Sequence, residues 1–153
     1  MVDRPDVVVT SIETPHAASV ERIDLFTLRL ITYAPRASVQ RWIAEELAGL
    51  RCVPYFTPSL HAAFEALAEE YRRRVIIIDY DSLSKEDLVE LRTLRKRVSS
   101  GTFIALGQVR EHLRAPLRVT HVLARPLGSE RLRELVDELD RQRDTADRRQ
   151  LIG

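Results

Sequence analysis

Glycine is scarce in this 153-residue chain, with five in all. None stands at the GxGxxG or GxxxxGK spacing that brings backbone amides up to a nucleotide's phosphates, which argues against a dinucleotide or P-loop function. Cysteine is reduced to Cys52. It can form no internal disulfide, and within the apolar stretch RCVPYF it reads as a small buried hydrophobe of a protein in a reducing cytoplasm, not as a nucleophile. Charge of one sign is missing too: 24 Lys and Arg against 23 Asp and Glu leave a net charge of +1, too little for a uniform field that would hold nucleic acid or a membrane surface. No apolar run approaches the ~18 residues of a membrane span. The opening MVDRPDVVVTSIETP puts charges and prolines where a signal peptide needs an apolar core. His16, His61, His112 and His121 show no HxH or HxxxH spacing and have no cysteine pair beside them, so neither a metal site nor a cofactor is expected. No GxSxG elbow marks a nucleophilic serine.

What the chain does have, from residue 28 onward, is an alternation of strand-like apolar runs with helical periodicity. LRLITYA (28–34) reads as a strand, followed by a helix capped at Ser38 with Val39, Ile43, Leu47 and Leu50 on one stripe. CVPYF (52–56) reads as a short strand, and Pro54 assigns it to an edge. Ser59 caps a second helix burying Leu60, Ala63, Phe64, Leu67 and Tyr71. RVIIID (74–79) is the most apolar strand. Ser84 with Asp87 forms a capping box for a third helix packing Leu88, Leu91 and Leu94. TFIALG (102–107) is a fourth strand, VREHLR (109–114) a short helix stopped by Pro116, and RVTHVLA (118–124) a fifth strand. Ser129 opens a last helix with Leu132, Leu135, Val136 and Leu139 buried.

Five strands each followed by a helix, too apolar to leave a face in water, predict an α/β domain: a doubly wound five-stranded parallel sheet with helices on both faces. Residues 28–140 form that domain. Residues 1–27 are an N-terminal extension with a candidate extra strand, DVVVTSI, and 141–153 a charged tail or extension of the last helix. In such sheets chemistry gathers beyond the carboxyl ends of the strands. That places Ala34, Pro35, Asp79, Asp81, Gly107, Arg125 and Pro126 around one crevice.

VIIIDYD in the third strand, TFIALG in the fourth and VLARPLGSERLRELVDEL across the fifth strand and last helix resemble the receiver domain of two-component response regulators, whose topology is flavodoxin-like. The resemblance puts the phosphoacceptor aspartate at Asp79 and the Lys-Pro pair of the family at Arg125-Pro126. It also implies a set of departures. The acidic pair that holds Mg²⁺ falls on Ala34 and Pro35, neither of which can ligate a cation; the hydroxyl residue of the fourth strand falls on Gly107; and the switching aromatic of the fifth falls on Val122. Asp81 is a weak substitute ligand. With the metal acids gone, Arg125 is expected to approach Asp79 directly, as a structural carboxylate–guanidinium link.

The expected function is therefore not enzymatic. The chain reads as a phosphorylation-independent pseudo-receiver, a protein–protein interaction module of bacterial signal transduction in the cytoplasm. Its expected partners are proteins, a histidine kinase or a regulator, and a second copy in a homodimer. The face implied for docking carries Arg110, Arg114, Arg118, Val122, Arg131 and Glu138. Three alternatives stay open: a receiver still phosphorylated at Asp79, the receiver part of a longer transcriptional regulator, and a small-molecule or nucleotide sensor using the crevice. The basic residues Arg72 to Arg74 and Arg92, Arg95, Lys96 and Arg97 read as a solvated face, because acidic neighbours offset them and no aromatics are interleaved for base stacking.

Overall fold

The computed structural model describes residues 28–70, 73–124 and 128–152. The strands are Leu28–Tyr33 (β1), Cys52–Phe56 (β2), Val75–Asp79 (β3), Thr102–Leu106 (β4) and His121–Leu123 (β5). All pair in parallel, in the order β2-β1-β3-β4-β5. Between and after them run the helices Ala37–Leu47 (α1), Leu60–Glu69 (α2), Lys85–Arg97 (α3), Glu111–Leu117 (α4) and Arg131–Ile152 (α5), with a 3₁₀ turn at Tyr80–Ser82. This is the expected α/β class in a flavodoxin-like arrangement.

The apolar strands explain the sheet's centre. Val75 to Ile78 are all fully buried, each side chain contributing about 1.5–3 kcal/mol relative to exposure. Because neighbouring residues on a strand point to opposite faces, the core divides. Leu28, Leu30, Val75, Ile77, Ile104 and Leu106 cluster with Val39, Ile43 and Leu47 of α1 and with Leu132, Val136 and Leu139 of α5. Ile31, Ile76, Ile78, Phe103 and Ala105 cluster with Leu60, Phe64 and Leu67 of α2, with Leu91 and Leu94 of α3, and with Leu117 of α4.

β2 is the outer strand of the described sheet, as Pro54 suggests. The Arg51 carbonyl accepts from Leu28 N–H, and the Thr57 amide donates to the Thr32 carbonyl. The odd-numbered residues of β2 therefore face β1, and the backbone of Pro54 faces outward, where a missing N–H leaves nothing unsatisfied in the ladder.

Local caps fall where short-range spacing puts them. The Ser59 side chain accepts from Ala62 N–H, and Ser84 with Asp87 forms the reciprocal capping box. Three expected boundaries are corrected. Ser38 does not cap α1; the cap residue is Arg36, with no side-chain cap. Pro116 does not stop α4 but sits in its last turn, where it forgoes one helical N–H, and the helix ends at Arg118 in the left-handed conformation (φ 53°). Ser129 does not open α5. Instead the Glu46 carboxylate of α1 accepts from the amides of Glu130, Leu132 and Arg133 at 2.9, 3.2 and 3.4 Å. Arg133 returns the favour, donating to the Glu46 and Ala48 carbonyls at the end of α1. α5 itself runs through residue 140 without a break. The expected strand in residues 1–27, and Tyr71 on α2, lie outside the described residues.

Candidate functional site

In the order 2-1-3-4-5 the chain reverses its direction of winding between β1 and β3, and the crevice beyond the carboxyl ends of these two strands is where ligands bind in open α/β sheets. Tyr33 pairs with Ile78 across that boundary, so the next residues, Ala34 and Asp79, stand side by side. Asp79 is completely buried. Pro35 follows Ala34 with a fixed φ, Arg36 adopts an extended conformation as the residue before α1, and its side chain turns back over the end of β3. The result is a two-pronged ion pair: Arg36 Nε donates to Asp79 Oδ2 at 2.7 Å and Nη2 to Oδ1 at 2.6 Å. Such parallel hydrogen bonds are among the strongest a carboxylate makes. The hydrogen bonds to Asp79 hold the Arg36 guanidinium above its already high ordinary pKa. The Arg36 side chain is 41 % exposed, so the guanidinium forms a lid with one edge on the buried carboxylate and the rest reaching water.

A guanidinium on Asp79 matches the expected link in kind, but the described partner comes from the end of β1. Arg125 and Pro126 lie outside the described residues. Ala34 is buried, and its carbonyl accepts from Gln40 Nε2 at 2.7 Å, so the backbone beside Asp79 is also engaged. Pro35 is exposed. Across the crevice Asp81 is committed to the loop after β4: its Oδ1 accepts from the Gln108 amide at 3.0 Å. Gly107 makes this approach possible. Its φ is 126°, and a Cβ at this position would collide with the Asp81 carboxylate. Where the family resemblance looks for a hydroxyl, the geometry requires a glycine. Among the described residues no group of three or more His, Cys, Asp or Glu could hold a metal ion, and the two carboxylates of the crevice are each engaged by N–H donors.

Tyr33, at the mouth of the crevice, has its pKa raised by burial and by the negative charges of Asp87, Glu90 and Asp79. Cys52 is buried, and burial pushes its thiol up to about 11, which leaves it protonated and unreactive at neutral pH.

The residues expected on a partner face are placed as follows. Arg110, Arg114, Arg118, Arg131 and Glu138 are exposed, while Val122 is half-buried against the core. Two members of the supposed solvated basic face are bound into the fold, Arg74 half-buried and Arg95 fully buried. Arg74 ties the end of α2 to the loop before β4, donating to the carbonyls of Ala68 and Glu70 and to Ser100 Oγ. Arg95 is only 2 % exposed. Arg92, Lys96 and Arg97 are exposed as expected.

Sequence reasoning missed Arg36, Glu46 and the burial of Arg95. For Arg36 the signal was its place two residues past β1, once β1 is set beside β3. For Arg95 it was the spacing Leu88, Leu91, Arg95, Val98, which continues the buried stripe of α3. Among the described residues no helix is long and apolar enough to cross a membrane. The chain matches no family model and no curated protein.

Proposed function

We propose that the chain is a phosphorylation-independent pseudo-receiver, a protein-interaction module of a bacterial cytoplasmic signalling pathway. The observation that carries this reading is the Arg36 clamp on Asp79 at the switch-point crevice. A carboxylate that attacks a phosphoryl donor must be open to that donor and must share it with a divalent cation. Asp79 is buried under a guanidinium, and Ala34 and Pro35 supply no ligand beside it. An arginine thus supplies the positive charge that a metal supplies in an active site of this kind, and it cannot leave as a metal can. The module then acts by presenting a surface. The exposed charges of α4 and α5, namely Arg110, Arg114, Arg118, Arg131 and Glu138, are the proposed contacts with a protein partner or a second copy.

Incubation with acetyl phosphate and Mg²⁺, followed by intact mass measurement, tests the reading. The wild type is expected to gain no phosphoryl group, and Arg36→Ala is expected to gain none either, since removing the lid restores no metal ligand. A labile gain abolished by Asp79→Asn would overturn the proposal in favour of a phosphorylated switch.

A further inference from the structure

Arg95 is a buried cation for which no carboxylate partner exists among the described residues, yet none of its donors is wasted. A guanidinium has five N–H groups, and here each meets a backbone carbonyl: Nε donates to Leu117 (2.8 Å), Nη1 to Val98 (3.1 Å) and Ser100 (3.0 Å), Nη2 to Gly101 (3.3 Å) and Arg118 (3.1 Å). Those carbonyls belong to two different places in the chain, the turn leaving α3 and the end of α4. Val98 follows the last residue of α3, with Ser100 and Gly101 just beyond it, and Leu117 and Arg118 close α4, so carbonyls at or just past two helix ends converge on one cation. Two such ends at one guanidinium offset a charge whose burial would otherwise cost several kcal/mol.

The surroundings close a circuit. The guanidinium lies 5.4 Å from the centre of the Phe103 ring. Phe103, at the start of β4, exchanges hydrogen bonds with Thr120: its amide donates to the threonine hydroxyl, and its carbonyl accepts from the Thr120 amide. The Val119 amide in turn closes the end of α4 on Arg114. Burial, with the nearby charge of Arg118 second, pushes the Arg95 pKa down to about 10, so it stays charged at neutral pH.

We propose that Arg95 is a lock that makes the end of α3, α4 and the approach to β5 open and close as a single unit, so that this edge of the domain is presented in one arrangement. A lysine cannot substitute, because an ammonium has three donors and no planar fork with which to span two chain segments. The lock is independent of the proposed function: it concerns the mobility of one edge, whatever that edge binds and whether or not Asp79 is modified.

Native-state hydrogen exchange of the whole chain tests it. In R95K the amides of Val98, Arg118, Val119 and Thr120 are expected to exchange about tenfold faster or more. The amides of Leu28 and Thr57 at the far edge should change less than about twofold by the same reasoning. Equal acceleration at all six would make Arg95 a general stabiliser and overturn the lock, as would no acceleration at the first four. Should R95K fail to fold, the wild type in sub-denaturing urea decides: the first four amides must converge on one opening free energy and one urea dependence. Independent exchange would refute the proposal.

Discussion

Separating Arg36 from Asp79 should cost different amounts depending on which partner is removed. Arg36→Ala leaves a carboxylate that is fully buried in the wild type without its two strongest donors, whereas Asp79→Asn leaves an arginine side chain already 41 % exposed and able to turn into water. Breaking a buried pair from one side costs ~3–5 kcal/mol, and exposed pairs are worth ~0–1 kcal/mol. With one partner buried and the other half in solvent, the intermediate value applies: about 2–3 kcal/mol for Arg36→Ala, and about 1 kcal/mol for Asp79→Asn, which keeps an acceptor. The coupling from the double-mutant cycle should be ~2 kcal/mol, or about thirtyfold in the folding equilibrium. Urea unfolding followed by tryptophan fluorescence suits the measurement, because the single tryptophan, Trp42, lies on α1 and packs against the core. A coupling under ~0.5 kcal/mol, or an Asp79→Asn variant less stable than Arg36→Ala, would refute the clamp as a structural pair.

Glu46→Ala should destabilise the domain by about 1–2 kcal/mol, the worth of a charged helix cap, because three amides at the start of α5 lose their acceptor; a urea midpoint unchanged from wild type would contradict this. Cys52 ties stability to alkaline pH. Its folded pKa of about 11 lies above the unfolded value of ~8.5, so between these pH values the unfolded chain releases a proton that the folded chain keeps, and stability falls as pH rises. Relative to Cys52→Ala, the wild type should lose on the order of 1–2 kcal/mol between about pH 8.5 and 10.5, read from paired urea titrations. Parallel pH profiles for the two proteins would show that the thiol is not the group responsible.

The sequence was most legible where the determining interaction was local. Ser59 and the Ser84–Asp87 box lie three residues from the amides they serve, and the run Val75 to Ile78 is too apolar for anything but a central strand. Ser38 and Ser129 stood at equally plausible distances, yet α1 begins without a side-chain cap and α5 receives its cap from Glu46, more than eighty residues away in sequence. No window-based reading contains that residue. Arg95 was misplaced because its chemistry outweighed its position: the stripe of α3 pointed inward, but a charge seemed to forbid burial until five carbonyls were in view. The partner of Asp79 was sought on β5, by resemblance. Arg125 lies outside the described residues; the pair that is described follows from β1 lying against β3, which makes the residues just past both strands neighbours.

The fit of Gly107 against Asp81 bears on how this domain could change over time. A hydroxyl-bearing residue at 107 would have to adopt a φ of 126° and would run into the Asp81 carboxylate. Clearing that carboxylate first would strip the Gln108 amide of its acceptor. A serine or threonine at 107 therefore meets two obstacles that no single substitution relieves together, the backbone conformation and the carboxylate, so the glycine and Asp81 constrain one another's replacement.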